Sequence, residues 1–156
     1  MKQMDRLEAE RIVAAYADTL LRVSFTYLRS TQDAEDVVQT VFLKLLASGP
    51  DFQNAEHEKA WLIRTTINTC KDELRAFRRK AVPLDAAMER EAPEVPSSPV
   101  LESVMALPEK YRAAIYLFYY EGYTIQEIAS LLGRSESAVA AHLSRGRKKL
   151  RNLLDK

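Results

Sequence analysis

Three groups of side chains have types and spacings that suit chemistry, and in each case it is the chemistry of recognition rather than of bond making. Near the C-terminus, Arg145, Arg147, Lys148, Lys149 and Arg151 form a dense cationic run suited to phosphate contacts. Further upstream, Trp61, Arg64, Asn68, Lys71, Arg75 and Arg78 recur at steps of three and four, which places them on one side of a helix. Arginines interleaved with an aromatic ring and an amide suit nucleic acid, single strands included, because bases stack on rings. A solvated helix face is the plainer alternative. The third group is Asp36, Gln39, Thr40 and Leu43, at i, i+3, i+4 and i+7. Leu43 would stand in water unless a partner protein covers it, although a lone exposed leucine is ordinary.

Catalytic constellations are missing. The sequence has no Gly-rich phosphate loop and no metalloprotease His pair, and its two histidines, His57 and His142, fall in different expected domains. Asp33, Glu35 and Asp36 are acidic enough for a metal site, but they sit in the first turn of an expected helix, where the helix dipole accounts for them. Cys70 is the one cysteine, which excludes an intramolecular disulfide and a cysteine-based zinc site. Its helical position reads as core. No metal, cofactor or small-molecule substrate is expected.

The elements that position these groups follow from hydrophobic period. With 47% apolar and 29% charged residues and only 4 glycines in 156 residues, the chain suits an all-α protein of one ordinary or two small domains. The first helix is expected over about Asp5–Leu28, with Ile12, Tyr16, Leu20, Val23 and Tyr27 inward and Ser30 or Thr31 capping the next. The second carries Ala34, Val37, Val38, Val41, Phe42, Leu45 and Leu46 inward and stops at Ser48-Gly49-Pro50. Phe52 to Glu58 reads as a polar loop and the entry to the next helix. A third helix, roughly Glu58–Arg79, has Ala60, Ile63, Ile67, Cys70, Leu74 and Phe77 inward.

Residues 81–99 hold four prolines, two adjacent serines and an acidic bias, and read as a flexible linker, with a short helical turn conceivable around Ala86 to Arg90. A second helical domain is expected over 100–156. Pro108 opens a helix whose apolar face is Tyr111, Ala114, Ile115, Phe118 and Tyr119. Thr124 and Glu127 have capping-box spacing. Gly133 suits a left-handed turn residue, and Ser135 caps a last helix with Val139, Leu143, Gly146, Leu150 and Leu153 inward. This arrangement has the form of a helix-turn-helix. Its outer face would hold Glu136, Ser137, Ala140, Ala141, Ser144, Arg145 and Lys148.

Charge follows the same division. Residues 1–60 carry seven basic and ten acidic side chains, 61–80 six and two, 81–100 one and four, and 101–156 nine and six. The net charge of +1 therefore hides two local basic surfaces, as two separate contacts with a polyanion would need. No apolar run approaches the ~18 residues of a membrane span, and the N-terminus lacks the form of a secretion signal, so a cytoplasmic protein is expected.

Asp33-Ala34-Glu35-Asp36-Val37-Val38-Gln39-Thr40-Val41-Phe42-Leu43-Lys44 resembles the polymerase-binding helix of bacterial RNA polymerase sigma factors. Ala60-Trp61-Leu62-Ile63-Arg64, Asn68 and Asp72 to Arg75 resemble the promoter-melting helix that follows it. Leu107-Pro108-Glu109-Lys110-Tyr111-Arg112, Gly122 to Ala129 and Arg145-Gly146-Arg147-Lys148-Lys149-Leu150 resemble the C-terminal sigma domain. Two domains, 1–80 and 100–156, joined by a short linker and nothing else resemble the extracytoplasmic-function (ECF) group.

The resemblance implies that Asp36, Gln39, Thr40 and Leu43 dock on the clamp helices of the largest polymerase subunit, with the polymerase flap as a further contact. It implies that Phe52, Asn54, Trp61, Arg64, Asn68, Lys71, Arg75, Arg78 and Arg79 bind the −10 element and a base flipped from the single-stranded non-template strand. It implies that Arg134, Ser135, Ser137, Ala141, Ser144, Arg145, Arg147 and Lys148 contact the duplex −35 element. The linker would thread toward the polymerase active-site channel. Members are often held inactive by an anti-sigma factor, so such a partner is implied too. One departure stands out: Val139-Ala140-Ala141-His142-Leu143 lacks the Lys and Arg common in the family's recognition helix, so −35 binding should lean on Arg134, Arg145, Arg147 and Lys148, or the −35 sequence should be unusual. A stand-alone duplex-binding regulator and a sigma-like polymerase-binding protein without promoter reading are the rival readings.

Overall fold

The computed structural model describes residues 5–79 and 99–154. The expected linker, apart from its last residue, and the helical turn near Ala86 to Arg90 lie outside the described residues. All regular structure among the described residues is α-helical. The chain divides into two compact units, residues 1–94 and 95–156.

In the first unit, α1 (Arg6–Leu28), α2 (Thr31–Ser48) and α3 (Ala55–Arg79) pack against one another in all three pairings. Local signals set their ends. Asp5 caps α1, its carboxylate accepting from the Glu8 N–H at 2.8 Å, and Ser30 Oγ accepts from the Asp33 N–H at 3.2 Å to open α2. Only Arg29 and Ser30 separate the two helices. Arg29 makes the reversal in the left-handed region, at φ 55°, which is costly for a residue with a Cβ. Helix α3 begins three residues earlier than the period suggests. The cause is Asn54, whose Oδ1 accepts from the His57 N–H at 2.8 Å and so draws 55–57 out of the expected loop.

The core is built from Ile12, Leu20 and Val23 of α1, Ala34, Val37, Val41 and Leu45 of α2, and Leu62, Ile63, Ile67 and Cys70 of α3. Two expectations need correction. Leu46 is 37% exposed and Phe42 only half-buried, because the stripe of α2 that meets its neighbours is narrower than the run of apolar residues. On α3 the buried side is rotated toward Leu62, Thr66 and Thr69, leaving Ala60, Leu74 and Phe77 half-buried. The threonines escape an apolar reading of the sequence, yet they fit inside because their hydroxyls donate to the carbonyls of Leu62 and Thr65 at 2.7 and 2.8 Å.

In the second unit, α4 (Pro99–Met105), α6 (Ile125–Leu132) and α7 (Glu136–Leu154) surround α5 (Glu109–Tyr119), which packs on each of them. Every residue from 111 to 117 is consequently buried, whereas the sequence suggests a single apolar face. Tyr119 and Phe118, expected inside, lie at the end of α5 and are 50% exposed and half-buried. Pro108 is the residue before α5 rather than its first. Leu153, also expected inside, is 40% exposed near the end of α7.

Removing the Leu62 side chain would leave a cavity in the first unit. Leu62→Ala should cost about 2–5 kcal/mol. Trp61 is the one tryptophan, so its emission during urea unfolding reads this unit alone, and the midpoint should fall.

Candidate nucleic-acid and partner-binding surfaces

On α2 the outward group is presented as expected: Asp36, Gln39 and Thr40 are exposed and Leu43 is 65% exposed. The Thr40 hydroxyl donates to the Asp36 carbonyl at 3.0 Å, which fixes it along the helix. The apolar surface does not end at Leu43. One turn on, Leu46 joins Val13, Ala9 and Ala14 of α1 around an open groove of about 540 Å³. Sequence reasoning missed this extension because Leu46 falls on the period of the core.

Along α3, Arg64, Asn68, Arg75, Arg78 and Arg79 are exposed, and Trp61 and Lys71 are half-buried. The structure thus brings the six residues from Trp61 to Arg78 onto one side, with Arg79 about 100° round the helix from Arg78. Arg75 is ion-paired with Asp72. Phe52 lies at the N-terminal end of this side, half-buried, between His57 and Trp61, with ring centroids 5.4 and 5.9 Å away and edge-on geometry to both. Next to it opens a cavity of about 440 Å³ lined by residues 49–52 and 54, by Glu8 and Arg11 of α1, and by Glu58 of α3.

Glu58 is only 6% exposed. Its two carboxylate oxygens accept from the Arg11 guanidinium at 3.0 and 3.4 Å. That hydrogen bond, followed by the carboxylate's charge, pushes the Arg11 pKa up. Burial first, then a hydrogen bond to Glu58, pushes the Tyr16 hydroxyl up. Neither Arg11 nor Glu58 stands out in the sequence, because 47 residues separate them and no local pattern joins them. The cavity therefore has an aromatic wall, an amide from Asn54, and an ion pair in its lining. Such a site can stack a planar heterocycle and offer its edge both donors and acceptors.

In the second unit, Thr124 and Glu127 form the reciprocal capping box, at 3.1 and 3.0 Å. Gly133 stands at φ 65°, and Ser135 Oγ accepts from the Ala138 N–H at 3.1 Å. Val139 and Leu143 are buried, as expected. Arg134, Ser135, Ser137, Ser144, Arg145, Arg147 and Lys148 are exposed. Ala141, expected to face outward, is half-buried, while Ala140 is exposed. At about 100° per residue, Ser137, Ala141, Ser144 and Lys148 share one line along α7, and Arg145 and Arg147 flank it on opposite edges.

Among the described residues no three or more His, Cys, Asp and Glu side chains gather in a way that could hold a metal ion. Cys70 is buried and its thiol is pushed up to about 12 by that burial, which leaves it an inert core residue. No helix among the described residues is long and apolar enough to cross a membrane.

Comparison with known proteins agrees with this division into units. The family model for sigma-70 region 2 matches residues 12–80, and that for sigma-70 region 4 matches residues 98–150. A probable RNA polymerase sigma factor, RfaY of Xanthomonas campestris, is 32% identical over 92% of this chain, which spans 40% of that relative's length. The ECF RNA polymerase sigma factor SigM of Mycobacterium tuberculosis is 29% identical over 96% of this chain and 79% of its own length. Among solved structures, the sigma factor RpoE in its complex with the anti-sigma factor NepR from Bartonella quintana matches with TM-score 0.77 at 21% identity, covering 94% of this chain and 96% of that one. CnrH, in complex with the cytosolic domain of CnrY, matches with TM-score 0.66 at 25% identity, covering 97% and 90%.

Phe52→Ala should uncover the edge of the Trp61 indole. The expected result is a red shift of the native tryptophan emission, with the far-ultraviolet circular dichroism of the chain unchanged.

Proposed function

The chain belongs to the sigma-70 family, in its extracytoplasmic-function group, and from that premise we propose a division of labour among its surfaces: it recruits core RNA polymerase, reads two promoter elements and initiates transcription without catalysing a reaction of its own. The observation that carries this reading is the order of the two matched regions, each on its own compact unit.

In this reading Asp36, Gln39, Thr40 and Leu43 dock on the clamp helices of the largest polymerase subunit, and the apolar groove beside Leu46 and Val13 enlarges that contact. The exposed side of α3 takes the −10 element. Its arginines neutralise phosphates, and the cavity beside Phe52 receives a base flipped from the non-template strand. Extrusion costs a few kcal/mol, which stacking on Phe52 and hydrogen bonds to Asn54 offset. The Arg11–Glu58 pair fixes the lining of that cavity.

Helices α6 and α7 act as a helix-turn-helix, with α7 in the major groove at the −35 element. Ser137, Ser144, Arg145 and Lys148 hold the hydrogen-bonding capacity of that face. Ala140 and Ala141 can only make apolar contacts, of the kind that suit a thymine methyl. Arg134 and Arg147 serve phosphates. The cytoplasm, where polymerase and promoter are found, is the compartment this activity needs. Of two structurally similar proteins, the sigma factor RpoE was solved with the anti-sigma factor NepR bound and CnrH with the cytosolic domain of CnrY; the first supports an anti-sigma factor as a partner of this chain as well.

The deciding experiment is run-off transcription with core polymerase over fragmented genomic DNA, with and without the protein. Discrete new start sites sharing two upstream elements are expected. Core binding without new starts would favour a sigma-like interaction protein, and duplex binding without core binding would favour a stand-alone regulator. Leu43→Glu should leave the melting temperature nearly unchanged, since the side chain is 65% exposed, and abolish core binding in a pull-down. Arg145→Ala should weaken duplex binding and reduce the slope of log affinity against log salt by about one.

A further inference from the structure

The segment that lines the cavity beside Phe52 is closed by a reciprocal pair of hydrogen bonds. Asn54 caps α3: its Oδ1 accepts from the His57 N–H at 2.8 Å, and its carbonyl accepts from the Glu58 N–H at 3.1 Å. The imidazole of His57 reaches back, and its Nδ1 accepts from the Gln53 N–H at 3.2 Å. This is a capping box moved by one residue, since the returning bond lands on the residue before the cap. The chain carries the ordinary form as well, where Glu127 returns to the Thr124 N–H at 3.0 Å. Glutamate and glutamine are the side chains that usually make the return, and each keeps an acceptor when the solution turns mildly acid.

An imidazole does not. To accept at Nδ1 the ring must be neutral with its proton on Nε2, and protonation turns Nδ1 into a donor facing another donor. The Gln53 N–H then loses its partner. Phe52 is the next residue back, and its ring lies edge-on to His57 and Trp61, with centroids 5.4 and 5.9 Å away. Gly49 fixes the other end of the segment: it is buried, and a Cβ there would stand 2.6 Å from the Leu45 carbonyl oxygen. One end is therefore held by packing, and the other by a bond that depends on the charge of one ring. We propose that His57 is the positioning residue for Phe52, and that it holds the aromatic wall of the cavity in place only while its ring is uncharged.

The consequence for DNA rests on the reading of this cavity as the seat of a flipped base. Charge alone would act in the opposite direction, because an imidazolium beside the strand attracts phosphate. Acidification should therefore remove the part of binding that a base contributes by stacking and spare the part that the backbone contributes. The charged groups on the elements packed at this junction are Asp51 in the segment itself, Glu8 and Arg11 of α1, and Glu56, Glu58 and Lys59 of α3. All of them, and His142, stay in place in His57→Gln, which supplies a usual capping-box residue and cannot titrate.

The test uses the full chain at about pH 8 and about pH 5, the range over which imidazoles change charge. Trp61, the only tryptophan, reports the wall directly. In the wild type its emission maximum should move to the red on acidification, toward the value expected for Phe52→Ala, and in His57→Gln it should stay. Binding is measured at low salt with a fluorescent single-stranded oligodeoxynucleotide of mixed sequence and with an abasic strand of the same length. At the higher pH the wild type should favour the strand with bases roughly tenfold, and at the lower pH that preference should fall to about twofold or less. His57→Gln should keep it at both. An emission maximum that does not move in the wild type, or that moves equally in His57→Gln, would overturn the proposal. A preference for bases that is the same at both pH values would also sink it, while leaving the base-seat reading intact. No preference in either protein at either pH, with the emission shift as expected, would overturn the base-seat reading and keep His57 as the residue that positions Phe52.

Discussion

A carboxylate taken out of water must be paired, and in the first unit that requirement organises the chemistry around one residue. Glu58 is all but buried, and Arg11 answers it with two hydrogen bonds. Because Arg11 belongs to α1 and Glu58 to the first turn of α3, the pair ties the start of one helix to the side of another. The residues between α2 and α3 are thereby held against that junction, and they line the cavity beside Phe52. Loss of Arg11 would leave the nearly buried Glu58 carboxylate unpaired at the rim of the cavity rather than simply remove a contact. The aromatic contacts of Phe52 with His57 and Trp61 build outward from the same junction.

The second unit is organised by a missing side chain. Helix α5 is enclosed by three neighbours and is buried along seven consecutive residues. A helix so enclosed can be crossed closely only where a neighbour has nothing to put in the way, and Gly146 supplies that place. Close crossing brings the N-terminal end of α5 up to the edge of α7. Tyr111 of α5 thereby meets His142 of α7 edge-on, although 31 positions separate them in the chain.

Much of this was legible from the residues. The helices, the Asp5-to-Leu28 and Ser48 boundaries, the capping box at Thr124, the left-handed Gly133 and the Ser135 cap all rest on local rules, and local rules are written in consecutive residues. The basic side of α3 and the exposure of Leu43 followed from period alone. Errors arose where a tertiary neighbour decided the outcome. Leu46 sits on the core period of α2 but lines an open groove against α1. Thr66 and Thr69 are polar by type but satisfied within their own helix. Phe118 and Tyr119 continue an apolar run past the end of the packing. The Arg11–Glu58 pair and the meeting of Tyr111 with His142 join residues far apart in sequence, and no spacing rule reaches them.

The bare apolar side formed by Leu43, Leu46 and Val13 has a consequence for the chain when it is alone. A protein with a formal net charge of +1 has little long-range repulsion to keep its copies apart. An uncovered hydrophobic surface on such a molecule favours self-association as concentration rises. Solubility is then tied to stoichiometry: a copy seated on a partner is protected, and a surplus copy is a candidate for aggregation or proteolysis. The same leucines that make the chain adhesive thus set an upper limit on how much of it can accumulate unbound.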